Sequence, residues 1–165
     1  MIYETSVPVF IHYLKSLSTI LKKAEDYCAA KKIDPAVMLS QRLYPDMFSL
    51  TRQVQIATDG AKAAGARLAG IDVPSFPDEE KTFEDLQARV AKTMNFLSSL
   101  TKSQFEGAAD RVITFKSGGN DKSFKGSDYV GLWAFPNFFF HIATAYNILR
   151  HNGLEIGKGD YLRGG

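Results

Sequence analysis

The sequence predicts an all-α protein: a four-helix bundle with a small β-hairpin inserted between the third and fourth long helices. Three observations carry that prediction. Three stretches repeat apolar residues at alternating three- and four-residue spacing, which places them on one face of a helix. A fourth stretch, from Tyr129 to Gly153, is the most apolar and aromatic part of the chain. Between the third and fourth stretches lies Arg111-Val-Ile-Thr-Phe-Lys, then Ser-Gly-Gly-Asn-Asp, then Lys122-Ser-Phe-Lys-Gly. β-branched and aromatic residues round a Gly-rich turn read as two short strands.

The first helix is expected to start at Thr5 or Ser6, which can cap it, with Pro8 in its first turn. Its seam is Val7, Phe10, Leu14, Leu17, Leu21, Ala24 and Cys28, and it ends near Lys31-Lys32. Asp34-Pro35 pairs a cap residue with a first-turn proline, so a short helix to about Leu39 follows. Leu43-Tyr44-Pro45-Asp46 reads as a turn, with Asp46 capping a second long helix over 47–69. Met47, Leu50, Val54, Ala57, Ala61, Ala64 and Leu68 form its seam, and Gly70 ends it. Gly60 and Gly65 weaken this helix by about 1 kcal/mol each relative to Ala. Packing must therefore hold it.

Asp78-Glu79-Glu80 places acid where a third helix should begin, favourable against its dipole. Phe83, Leu86, Val90, Thr93, Leu97 and Leu100 form its stripe. An isolated hairpin is marginal in water, so Ile113, Phe115 or Phe124 should pack on the bundle. The fourth helix should run from Ser127 or Asp128 to Asn152, kinked or restarted at Pro136. Being apolar all round, it should be wrapped by the others. Ile156, Tyr161 and Leu162 could fold the tail back onto the domain.

The chain has 165 residues, 45% hydrophobic and 23% charged, with a formal charge of +2. That is enough chain for one domain, spanning 1–165, with a substantial core. So small a net charge gives no reason to expect nucleic acid or an anionic membrane as partner. Lys116, Lys122 and Lys125 are balanced by Asp110, Asp121 and Asp128. The only cysteine, Cys28, cannot form an internal disulfide. With no signal-peptide pattern at the start, the expectation is a cytoplasmic protein. No apolar run of about 18 residues predicts a membrane span.

Pro136-Asn-Phe-Phe-Phe-His-Ile-Ala-Thr-Ala-Tyr-Asn-Ile-Leu-Arg-His-Asn-Gly, followed by Gly157-Lys and Asp160-Tyr-Leu, resembles the C-terminal signature of an uncharacterised bacterial family. That family is a domain-of-unknown-function group within the DinB/YfiT-like superfamily. Tyr3-Glu-Thr-Ser-Val-Pro and Arg67-Leu-Ala-Gly are also similar, so the resemblance covers nearly the whole chain. It implies a DinB-like bundle, often dimeric, whose second connection crosses over. In the wider superfamily three histidines commonly hold a divalent metal, one from the second helix and two from the fourth. Of these positions only His141 matches. The second helix offers Gln53, Gln55, Thr58 and Asp59 instead, and the position one turn after His141 is Ala145.

Spacing argues the same way. His141 and His151 are ten residues apart, about 15 Å along a helix, too far to share an ion. His12 points away from its helix's seam. His151 fits a helix end, and Cys28 a core thiol. Gly118-Gly119 lacks the Lys-Ser/Thr of a phosphate loop. A buried histidine held by hydrogen bonds is the plain reading of His141. The functional reading makes it the base or hydrogen-bonding group of a small pocket, with Gln55 or Thr58 as partners. Trp133, Phe135, Phe138, Phe139, Phe140 and Tyr146 are too many aromatics for one bundle core, which points to a homodimer interface. The expectation is a metal-free module that binds a small ligand or acts as a dimeric scaffold. The alternative is a metal-dependent transferase acting on a small thiol or similar substrate.

Overall fold

The computed structural model describes residues 2–164. Helix α1 spans Ile2–Lys31. It begins a turn earlier than expected because Thr5 and Ser6 do not cap it. Their hydroxyls instead bond back to the Ile2 carbonyl, at 3.3 and 2.6 Å. Pro8 therefore lies inside the helix and forgoes one backbone bond. Lys32 takes a left-handed φ of 56°, and the Ile33 N–H closes the helix on the Cys28 carbonyl at 2.9 Å. Helix α2, Pro35–Leu39, is capped by Asp34 as expected.

Helix α3 spans Leu50–Ala69 and ends at left-handed Gly70. Its cap is Ser49, not Asp46. Helix α4, Phe83–Ser99, is capped by Thr82, with Asp85 closing a capping box. Asp78-Glu79-Glu80 thus precede the helix rather than opening it. A 3₁₀ turn, Lys102–Phe105, leads to strands β1, Val112–Ser117, and β2, Asn120–Lys125. They pair antiparallel from Val112↔Lys125 to Ser117↔Asn120. Gly118 and Gly119 turn the hairpin with φ of 57° and 79°, the two positive values that a tight hairpin demands.

Helix α5, Gly126–Asp128, a π-helical turn, Tyr129–Ala134, and helix α6, Phe135–His151, follow one another directly. Pro136 stands in the first turn of α6. The wider winding just before it lets the Phe135 N–H reach the Val130 carbonyl. This is how the chain meets the expected break at the proline. Helix α7, Lys158–Leu162, closes the fold.

Side-chain partners set the helix directions. Thr58 meets Arg89, and a side chain at Gly65 would meet Leu97, so α3 and α4 run parallel. Gln53 meets His141 and Arg67 meets Tyr129, so α6 runs against α3. The connection over 70–82 therefore returns along the bundle, the crossover that the resemblance implied. Around the bundle the order is α1, α4, α3, α6.

The three predicted seams are buried in the core, apart from Met47, which precedes α3. The fourth helix is not wrapped on all sides. Phe138, His141, Ile142, Ala145, Ile148 and Leu149 of α6 face inward, while Pro136, Phe140, Asn147 and Arg150 face out. Its aromatics are covered by partners that periodicity could not place. Phe135 and Phe138 pack on Phe10, and Phe139 on Tyr13. Trp133 meets hairpin residues Phe115 and Phe124, while Tyr146 meets Tyr161 of the tail. Ile113 and Ile156 are buried, but Leu162 is exposed.

Candidate functional site

His141 projects from the inner face of α6 toward α3 and is 9% exposed. Its Nδ1 lies 2.7 Å from Gln53 Oε1, and Gln53 Nε2 donates to the Phe48 carbonyl at 3.2 Å. The Phe140 ring stands edge-on to the imidazole at 5.1 Å. Burial lowers the His141 pKa below its usual value, and the positive charge of Arg52 lowers it further. The ring is thus held neutral, as a hydrogen-bonding group.

Gln55 and Thr58 are not its partners. The two-residue step from Gln53 to Gln55 turns about 200° round a helix, so Gln55 faces the connection and α4 instead. Gln55 Nε2 donates to Glu80 Oε2 at 2.8 Å, and Thr58 Oγ1 accepts from Arg89 Nε at 2.8 Å. These two predicted site residues belong to an ionic cluster centred on Arg89, which is 3% exposed. Arg89 Nη1 donates to the Pro77 carbonyl at 3.0 Å and to Glu80 Oε1 at 2.9 Å. Its Nη2 lies 2.9 Å from Asp59 Oδ1 and 3.0 Å from Asp78 Oδ1. These last contacts are charge pairs without hydrogen-bond alignment.

Burial pushes the Glu80 carboxyl up, but the bonds from Arg89 and Gln55 outweigh it and leave its pKa lowered. Lys62 pairs with Asp59 at 2.7 Å. The ammonium groups of Lys62 and Lys92 each stand 4.2 Å from the centre of the Phe76 ring. The cluster pins the returning connection to α3 and α4. Asp78 and Glu80 serve it, rather than a helix dipole.

A third arrangement was missed by the sequence reading. A cleft of about 470 Å³ lies between α3, the hairpin and the start of α6. α3 supplies Gly60 and Arg67, the hairpin Phe115, the π-helical turn Trp133, and α6 Asn137 and Phe138. Arg67 lies 4.2 Å over the Phe115 ring and donates to Tyr129 Oη at 3.1 Å. Asn137 Nδ2 donates to the Trp133 carbonyl at 2.7 Å, tying the π-helical turn to α6. Asn137 is one turn before His141, so the cleft and the imidazole share a stretch of α6. Gly60, noted from sequence only as a weak point of its helix, was the one available signal for this cleft.

His12 is exposed and lies 2.8 Å from the Leu162 carbonyl, so it anchors the tail. His151 closes α6, and Cys28 is buried with its pKa raised, chiefly by burial. Among the described residues, no three His, Cys, Asp or Glu side chains group as a metal site. No helix among the described residues is long and apolar enough to cross a membrane.

The fold defined by these elements is a DinB-like helical bundle. A solved structure of a DinB family member protein from Shewanella denitrificans is 42% identical, with a TM-score of 0.89 over 98% of this chain and 92% of that one. Residues 2–162 match the model of a domain of unknown function (DUF1993), and the chain belongs to that family. No curated protein matches the chain.

Proposed function

We propose that this protein is a metal-free module that binds a small ligand near the His141 end of α6 and works as a homodimer. The observation that carries the reading is the His141–Gln53 pair. An amide oxygen occupies Nδ1 at 2.7 Å, and the pair is backed by the Phe48 carbonyl. A zinc-type site needs three or four converging N, O or S donors. Thr144 donates its hydroxyl to the Phe140 carbonyl, position 145 is alanine, and the nearby carboxylates are held by Arg89. These residues do not fit a resident divalent metal. We assign the binding role to His141 and the cleft one turn from it, with Gln55 and Thr58 behind them as structural residues.

Exposed apolar side chains favour the dimer. Phe48 and Phe140 flank the His141–Gln53 pair with 54% and 56% of their surfaces exposed, and Leu132 is 70% exposed. Pairing of two chains would cover such groups. The buried thiol of Cys28 suits a reducing cytoplasm.

Two measurements test the reading. Elemental analysis of protein purified without chelators or a metal-affinity tag should give substoichiometric zinc, nickel and iron. A stoichiometric metal that disappears in His141→Ala would overturn the metal-free reading and favour a metal-dependent enzyme. Light scattering at micromolar concentration should give twice the chain mass, falling to one in Phe140→Glu. A monomer in the wild type would remove the dimer.

A further inference from the structure

We infer that the cleft between α3, the β1–β2 hairpin and the π-helical turn is a binding site for a small aromatic carboxylate. The inference rests on the ligand-binding reading above and names its chemistry. The first argument is a contrast between two glycines of one helix. A Cβ at Gly65 would meet Leu97 Cδ2 at 2.7 Å and Leu100 Cδ1 at 2.9 Å, so close packing explains that glycine. A Cβ at Gly60 would meet nothing within 4 Å. Its cost to the helix, about 1 kcal/mol, has no packing reason, and the space it leaves belongs to the cleft.

The second argument is unused hydrogen-bonding capacity. Among the described residues Arg67 has no carboxylate partner. One nitrogen donates to Tyr129, and the guanidinium carbon stands 4.2 Å over the Phe115 ring. A guanidinium carries five N–H donors, so most of its fork remains for a ligand, already oriented. Pre-orientation lowers the entropic cost of binding. Asn137 commits its amide nitrogen to Trp133, which leaves Oδ1 to accept from a ligand N–H or O–H.

Shape and charge narrow the class. Phe115 and Trp133 offer ring surfaces, which favour a flat apolar body. The volume of about 470 Å³ falls in the range of small-molecule sites. Lys116 of the hairpin also stands on the wall, exposed and, among the described residues, without an ion pair, while the other two charges there are engaged. Arg52 Nη1 is held by Asp78 at 2.6 Å, and Asp59 by Lys62 and Arg89. Arg67 and Lys116 thus make the wall favourable to an anion, and the ring surfaces favour one carried on a flat aromatic body over bare inorganic phosphate. The winding beside it agrees, because π-helical turns occur often at functional sites.

Trp133 is the only tryptophan in the chain, so its fluorescence reports on the cleft directly. Titration of the wild type with benzoate should quench it saturably. Benzamide, acetate and inorganic phosphate should do so at least tenfold more weakly. Arg67→Met should weaken benzoate at least tenfold. Because Arg67 also steadies Tyr129, Gly60→Leu provides a second variant, whose Cβ would meet nothing within 4 Å and whose side chain would extend into the cleft, and it should abolish the response.

Equal quenching by benzamide, or an unchanged response in folded Arg67→Met, would overturn the carboxylate assignment and leave the ligand-binding reading standing. No saturable response to either ring compound would overturn the site. A metal found by elemental analysis is a separate result and strikes only the metal-free reading.

Discussion

Two sides of α3 carry polar residues, and they behave oppositely. Toward α4 and the returning connection, Gln55, Thr58 and Asp59 meet Glu80 and Arg89. The charges there pair with one another, and only Arg89 Nη2 is left without an aligned hydrogen bond among the described buried side chains. Toward the hairpin, Arg67 keeps most of its donors, Asn137 keeps an acceptor, and Gly60 keeps a space. A buried arginine ringed by three acids suggests chemistry when met in a list, yet here it is a fastening. A half-buried arginine lying on a phenylalanine suggests packing, yet it is the better candidate for recognition. Unused hydrogen-bonding capacity beside empty volume is the better mark of a site.

The sharpest way to break this contrast is to unfasten the first side. Arg89→Met removes the buried cation that Glu80, Asp59 and Asp78 share, leaving them only Gln55, Lys62 and Arg52. Breaking a buried ion pair from one partner costs about 3–5 kcal/mol, and the half-exposed Asp59 and Asp78 place this case near the lower end. Chemical denaturation should show a loss of about 3 kcal/mol, with the benzoate response kept in the folded variant. A loss near zero would mean that the cluster is decorative.

The next effect compares the glycines. Gly65→Val drives methyl groups into Leu97 and Leu100 and should cost about 2 kcal/mol. Gly60→Ala should instead stabilise by about 0.5–1 kcal/mol, through helix propensity alone. Matching signs in the two unfolding curves would show that the glycines share one role.

The smallest effect is one of pH. The folded protein holds the His141 pKa below its ordinary value, so the unfolded chain takes up this proton first as pH falls. The stability contributed by neutral His141 is complete above about pH 6.5. It is lost as pH drops through the lowered folded value. His141→Gln keeps an amide in place of the imidazole and removes the titration. The wild type should therefore lose more stability than the variant between about pH 7.5 and pH 5, read as a shift in urea midpoint. Parallel losses would place the proton elsewhere.

Much of the fold was legible because the seams are local. Val7 to Cys28, Leu50 to Leu68 and Phe83 to Leu100 are periodic in the chain and buried in the bundle. Where the reading of the fold went astray, distant partners decided the outcome. Asp46 and Asp78-Glu79-Glu80 satisfy a local rule for helix starts, but Ser49 and Thr82 hold those positions. The acids at 78 and 80 answer to Arg52 and Arg89 across the bundle. The partner of His141 was displaced by two residues, since the rotation of α3 against α6 is set by packing and leaves no local pattern. The surplus of aromatics on the last helix was real. Helix α1, the hairpin and the tail absorb most of it, leaving Phe140 outside. The cleft could not be read in advance, because its walls come from four elements whose approach only the fold determines.

The central claim is that α3 is fastened on one side and receptive on the other. Gly60→Leu tests it most directly, with unfolding free energy and benzoate quenching of Trp133 measured on the same preparation. The account predicts that stability holds or rises while the quench disappears. If quenching survives intact in the folded variant, or if stability and quenching fall together, the receptive side is not where these residues place it.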